Sequence, residues 1–285
     1  MRIDVGGVRL FVDIEGAGLV PDGPVMRKKP TLIVLHGGPG ADHTIFKPGF
    51  SQLSDLCQII YVDHRGNGRS DDGDPADWTL AQWGDDIHSL CGVLEVERPI
   101  IYGASFGGYV AQSYATRHPD QIGALILACT AAHVEFEQIY AAFGAIGGPH
   151  AGAVARAYWS DPTPDSRQAY LDTCFPLYSV RPQDPDVMAR LIFKNPVAMH
   201  FNGPKNEHGR LDFRAGLETL TCPAMVLVGD RDPIMPRAFA DQIAAHLPQA
   251  QYHVLENAGH LLEHDAAGAF FSHMRQFITE ISHAA

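Results

Sequence analysis

The sequence has little with which to cross-link itself. Its five cysteines, Cys57, Cys91, Cys129, Cys174 and Cys222, are odd in number, scattered, and form no C-x-x-C pair. That spacing argues against a disulfide framework or a thiolate zinc site, so the thiols read as small core residues. Basic charge is also scarce: 21 Lys and Arg face 33 Asp and Glu, a net charge of -12. Such a chain matches phosphate backbones and anionic membrane surfaces poorly, and neither nucleic acid nor membrane is expected as a partner. No apolar run approaches the roughly 18 residues of a membrane span. The opening MRIDVGGVRLFVDIEG alternates as a strand does and lacks the basic, apolar, small-residue order of a secretory signal. The expected location is cytoplasmic. No internal repeat or low-complexity tract is visible.

What is there is ordinary globular composition, 46% apolar and 19% charged, over 285 residues, enough for one well-buried α/β domain carrying an insertion. Arg9 to Glu15 follows the N-terminal strand as a second one, and GAGLVPDGPVMRKKP reads as a surface connection. Five short continuous apolar runs then stand out: 31–35, 58–62, 99–102, 124–128 and 224–228. Runs of this kind suit strands covered on both faces, and with the helical patterns of Leu80 to Val93 and Tyr109 to Arg117 between them they predict a mostly parallel sheet flanked by helices. From about residue 131 to 215 no such run occurs, only patchy helical periodicity broken by prolines as in Asp161-Pro162-Thr163-Pro164. The expected organisation is a core of residues 1–130 and 216–285 with a helical cap inserted at 131–215.

Gly-rich stretches follow several of the runs, where open α/β sheets collect functional groups. The sharpest is Gly103-Ala104-Ser105-Phe106-Gly107, a G-x-S-x-G placed between a strand and a helix as a nucleophile elbow requires. Such a turn strains its central residue and tolerates only very small residues two before and two after, which Gly103 and Gly107 supply. A serine hydroxyl is a weak nucleophile and needs a base that is itself oriented by a carboxylate. The base expected here is His260, in the small-residue loop Asn257-Ala258-Gly259-His260. After the last apolar run stand two acids, Asp230 and Asp232. An oxyanion hole would take the backbone N–H of Phe106 and one from His36-Gly37-Gly38-Pro39-Gly40, for which Gly38 is the candidate.

His260, Glu263 and His264 also spell H-x-x-E-H, a pattern of zinc peptidases. That reading needs a further ligand downstream and leaves Ser105 and the acids without work, and 15 histidines make a chance match unsurprising. Neither a metal nor a cofactor is expected, and His264 reads as a surface residue opening the last helix.

Taken together, His36-Gly37-Gly38-Pro39-Gly40, Asp63-His64-Arg65-Gly66-Asn67-Gly68-Arg69-Ser70, the Ser105 elbow and the two later loops resemble the α/β-hydrolase fold family, and within it the proline iminopeptidase group. The resemblance covers nearly the whole chain outside the cap. It implies Asp232 as the acid, three residues after the strand-ending Gly229, with Asp230 as the fallback. It also implies a cap carboxylate that binds a substrate amine. Asn202-Gly203-Pro204-Lys205-Asn206-Glu207 is similar to the family's Asn-Gly-Pro-Asn-Glu, with one extra residue, which points to Glu207. Phe106 and His64 stand where iminopeptidases commonly have Trp or Tyr and Gln. The expected activity is a metal-independent serine hydrolase using Ser105, His260 and Asp232 on a small ester, amide or short peptide. The leading form is an iminopeptidase-like aminopeptidase; the alternative is a carboxylesterase or lactone or amide hydrolase, acyl-homoserine lactones included. A ligand receptor that has kept the fold and lost turnover is the reading from another class.

Overall fold

Eight strands form one sheet in the computed structural model, which describes residues 1–284. Strands β1 (Arg2–Asp4) and β2 (Arg9–Glu15) enter at one edge. A separate hairpin follows, β3 (Leu19–Asp22) with β4 (Val25–Lys28). The remaining strands are β5 (Thr31–Leu35), β6 (Gln58–Val62), β7 (Ile100–Ala104), β8 (Ala124–Ala128), β9 (Ala224–Gly229) and β10 (Gln251–Leu255). The spatial order is β1-β2-β6-β5-β7-β8-β9-β10. Among the described residues of this sheet, only the β1–β2 and β2–β6 pairs are antiparallel. From β6 to β10 every neighbour runs parallel, so the carboxyl ends of these strands, and the loops after them, gather at one edge of the sheet.

The apolar runs explain the arrangement. All of β8 and β9, and all but the first residue of β5 and β6, are buried, as strands covered on both faces must be. Helix α1 (Leu80–Val93), capped by the Thr79 hydroxyl accepting from the Gln82 N–H at 3.2 Å, packs against α2 (Phe106–Arg117). All five cysteines are buried and free.

Between β8 and β9 the chain is helical: α3 (Phe136–Ser160), α4 (Pro164–Thr173), α5 (Pro185–Arg190), α6 (Asn195–Phe201) and α7 (Arg214–Leu217). Prolines open α4, α5 and α6: Pro164, Pro185 and Pro196 each stand in a first turn. Pro164 sits in the first turn of α4, where a missing N–H costs nothing, behind a Thr163–Ser166 capping box. The chain ends with α8 (Arg237–His246), the four-residue α9 (Leu262–Asp265) and α10 (Ala267–Ala284).

Two details differ from the sequence reading. The connection before β5 contains the β3–β4 hairpin, turned at Gly23 with φ 58°; its exposed Leu19, Val25 and Met26 carry no burial pattern from which a strand could be read. The final helix is also interrupted, because Ala266 takes a non-helical conformation between α9 and α10. Among the described residues, no helix is long and apolar enough to cross a membrane.

Candidate active site

Ser105 lies between β7 and α2 with φ 53° and ψ -120°, a region an L-residue occupies only when its surroundings force it. Here the neighbours do. The Ser105 N–H donates to the Ala128 carbonyl of β8 at 3.0 Å, and the Ser105 carbonyl accepts from the Gly108 N–H at 2.9 Å and the Thr130 hydroxyl at 2.8 Å. A Cβ at Gly103 would fall 2.3 Å from the Gly107 carbonyl oxygen, and one at Gly107 would fall 2.1 Å from that of Leu35. Both positions therefore exclude any side chain, and the turn is pressed against the end of β5.

The loop after β5 runs alongside. A Cβ at Gly37 would lie 3.1 Å from that of Ser105, and Gly38 has φ 58°. The buried His36 ring holds this loop: Nδ1 donates to the Gly37 carbonyl at 2.9 Å, while Nε2 accepts from the His64 N–H at 3.3 Å. Burial lowers the pKa of His36 and pushes that of His64 well down, so both stay neutral. The glycine-rich stretch after β6 completes the brace. Asn67 Oδ1 accepts from the Gly40 N–H at 2.5 Å, and Asp63 accepts from His43 Nδ1 at 2.6 Å and the Arg69 N–H at 2.8 Å. Burial alone would raise the Asp63 carboxyl, but the hydrogen bonds it accepts from His43 and the Arg69 N–H bring it to about 2. Asp63 also forms, with Asp42 and His43, a buried cluster of possible metal-ligand atoms, whose oxygens Arg69, Thr44 and backbone N–H groups already engage.

Asp232 and His260 meet at the far end of the sheet. Asp232 Oδ1 accepts from the N–H groups of Ile234 at 2.9 Å and Met235 at 2.8 Å, and Oδ2 faces His260 Nδ1 at 2.8 Å. A carboxylate held this way fixes the ring with Nδ1 as donor and leaves Nε2 as the free acceptor. Asp230 does something else: its carboxylate accepts from the Ala258 N–H at 3.1 Å and steadies the histidine loop from outside. Cys129 lies beside the pair, its sulfur within 4.8 Å of their ligand atoms and its backbone at φ 46°. Burial, reinforced by Asp232, raises its thiol well above the ordinary range, so it stays protonated. The H-x-x-E-H histidines diverge: His260 turns to Asp232, whereas His264 Nε2 lies 3.0 Å from the Pro182 carbonyl.

Ser105, His260, Phe106 and Gly38 all line one cavity of about 130 Å³. Its wall is mostly apolar, with Ile45, Phe46, Phe175, Leu191, Phe193 and Leu262 prominent. Glu207, to which the Asn202–Glu207 segment points as the amine-binding acid, does not line it. Its carboxylate accepts the Leu80 N–H at 2.9 Å at the start of α1 and borders a separate groove of about 780 Å³. The cause is a one-residue phase difference in the turn Glu207–Gly209, which directs Glu207 to one side and His208 to the cavity. His208 is buried and hydrogen-bonded to the Tyr109 hydroxyl at 3.3 Å, and burial pushes its pKa down to about 3, so it offers no charge.

Sequence reasoning gives no place in the site to His208, Cys129 or Asp265, and meets Glu263 only within H-x-x-E-H. Asp265 has the clearest structural effect: its carboxylate accepts from the Gly259 N–H at 2.8 Å, the Val180 N–H at 3.1 Å and the Ser179 hydroxyl. With the His260 N–H donating to the Tyr178 carbonyl at 2.6 Å, it ties the histidine loop to the inserted helical stretch. The Asp265→Ala variant is expected to lose about 1–3 kcal/mol of unfolding free energy in urea, because three donors, the buried Gly259 N–H among them, lose their acceptor. A loss below about 0.5 kcal/mol, the ordinary scale of surface changes, would contradict this brace.

Comparison with known proteins follows the same lines. A family model described as "Alpha/beta hydrolase family" matches residues 32–273. A proline iminopeptidase of Pestalotiopsis fici is 30% identical over 269 residues, covering 88% of this chain and 92% of its own. A 2-hydroxymuconate semialdehyde hydrolase of Pseudomonas sp. strain CF600 is 26% identical, covering 100% of this chain and 95% of its own. Among solved structures, a proline iminopeptidase of Mycobacterium smegmatis superimposes with a TM-score of 0.78 at 21% identity, over 100% of this chain and 99% of that one.

Proposed function

The chain belongs to the alpha/beta hydrolase family, and on that premise we propose that it is a serine hydrolase that cleaves small ester or amide bonds through an acyl-enzyme. The observation that carries this reading is the 2.8 Å contact of His260 Nδ1 with Asp232 Oδ2, made where Ser105 and His260 line the same cavity. His260 Nε2 takes the proton of the Ser105 hydroxyl as Oγ attacks the substrate carbonyl. Asp232 keeps the tautomer in place and stabilises the imidazolium as it forms. The tetrahedral oxyanion rests on the backbone N–H groups of Phe106, at the start of α2 with its dipole behind it, and of Gly38. His260 then protonates the leaving alcohol or amine, the carbonyl re-forms as the acyl-enzyme, and water activated by the same imidazole releases a carboxylic acid. In this scheme the helices between β8 and β9 act as a cap that closes the cavity and selects the substrate. Replacing Asp232 by Asn is expected to lower kcat about 10⁴-fold by favouring the wrong tautomer, read by steady-state kinetics; near-normal turnover would reassign the acid.

The apolar wall favours a small, uncharged acyl group, as in a carboxylesterase or a lactone or amide hydrolase. The second reading, an iminopeptidase-like aminopeptidase, draws on the relative from Pestalotiopsis fici and has to find its amine-binding group elsewhere than Glu207. One panel separates them: prolyl and alanyl p-nitroanilides, their N-acetylated forms, short acyl p-nitrophenyl esters and an acyl-homoserine lactone. The expected result is fast ester or lactone turnover that is indifferent to N-acetylation, unaffected by EDTA. Activity on the anilides that vanishes on N-acetylation would give the assignment to the peptidase instead.

A further inference from the structure

Glu263 sits in α9, three residues after His260, and lines the cavity. Among the described lining residues it is the only carboxyl group, and no Lys or Arg shares the wall with it. Its carboxyl takes a hydrogen bond from its own backbone N–H. The neighbouring titratable groups are otherwise engaged or neutral. On its own stretch of chain, His260 is turned to Asp232, His264 toward the Pro182 carbonyl, and Asp265 accepts from Gly259, Val180 and Ser179. From β7 comes the Tyr102 hydroxyl, buried without a hydrogen-bond partner, and after β8 comes the Cys129 thiol. Burial has raised both well above their ordinary values, so both are neutral. The cavity thus holds one acid with no resident cation to match it.

We propose that Glu263 is a specificity-determining residue that makes this cavity reject carboxylates, both anionic substrates and the acid that every turnover releases. The proposal rests on the acyl-transfer reading, because that chemistry leaves one carboxylate in the site per cycle. Two anions in a low-dielectric cavity with no countercharge repel each other far more than they would in water. Ionised Glu263 therefore speeds departure of the acid product and keeps acidic substrates out, while its neutral form tolerates both. Burial, partly offset by its own N–H and by His260 and His264, lifts this carboxyl to about 7. The sign follows: rejection is full above that pH and fades below it as the carboxyl takes up a proton.

The test is calorimetric titration of the full chain with sodium hexanoate at pH 8 and pH 6, for the wild type and Glu263→Gln, with Glu263→Ala as the second variant should glutamine impair folding. Wild type is expected to bind hexanoate about tenfold more tightly at pH 6 than at pH 8, a ratio typical of one nearby like charge. The uncharged variant is expected to bind at pH 8 about as tightly as wild type does at pH 6. Equal affinity of wild type and variant at pH 8, or a wild-type affinity that is flat from pH 6 to pH 8, would overturn the proposal. Fluorophosphonate labelling of the same wild-type sample reports separately on Ser105: its failure strikes the acyl-transfer reading and leaves the measured repulsion standing.

Discussion

Holding one serine in a conformation its own chemistry disfavours is the constraint around which this fold is arranged. A residue with φ 53° and ψ -120° stores on the order of 1–3 kcal/mol of strain, and the structure repays it through contacts from the two strands flanking β7. Strand β8 takes the Ser105 N–H through Ala128, the segment after it takes the carbonyl through Thr130, and the end of β5 leaves no room for a side chain at Gly107. These contacts exist only because β5, β7 and β8 are parallel neighbours in register, with Leu35 beside Gly103 and Ala104 beside Ala128. Sheet order thereby becomes site geometry.

From that anchor the other loops are placed by polar braces rather than by packing alone. His36, Asn67 and Asp63 fix the loop bearing Gly38, and Asp230 and Asp265 fix the loop bearing His260. Most of the braces leave the cavity free of charge. Burial keeps His36, His64 and His208 neutral and the Cys129 thiol protonated. A cavity arranged this way lets the few groups that work through charge, Asp232 behind His260 and the lone Glu263, act through a medium that screens them weakly.

Much of this is legible in the sequence, and the limits are physical. Continuous apolar runs announce the parallel strands because such strands are buried on both faces, and glycines at fixed offsets announce the elbow because sterics allow nothing else there. The carboxyl-end loops follow from topology. What the sequence cannot resolve is orientation within short irregular turns. Asp230 and Asp232 are two residues apart and chemically identical; only the fold turns Asp232 to His260 and Asp230 to the Ala258 N–H. Glu207 and His208 are adjacent, and one short turn decides that the histidine faces the cavity. Glu263 is conspicuous in the sequence as part of H-x-x-E-H, yet its environment, and so its chemistry, depends on Tyr102 and Cys129 from distant strands.

Catalysis by this site stands or falls with a covalent acyl intermediate on Ser105. Rapid mixing with a p-nitrophenyl ester, quenching in acid, and mass spectrometry of the digested protein measures this directly. A burst of p-nitrophenol close to one per enzyme is expected, with the acyl mass on the peptide containing Ser105. A steady release with no burst and no adduct during active turnover, or an adduct on another residue, would contradict it.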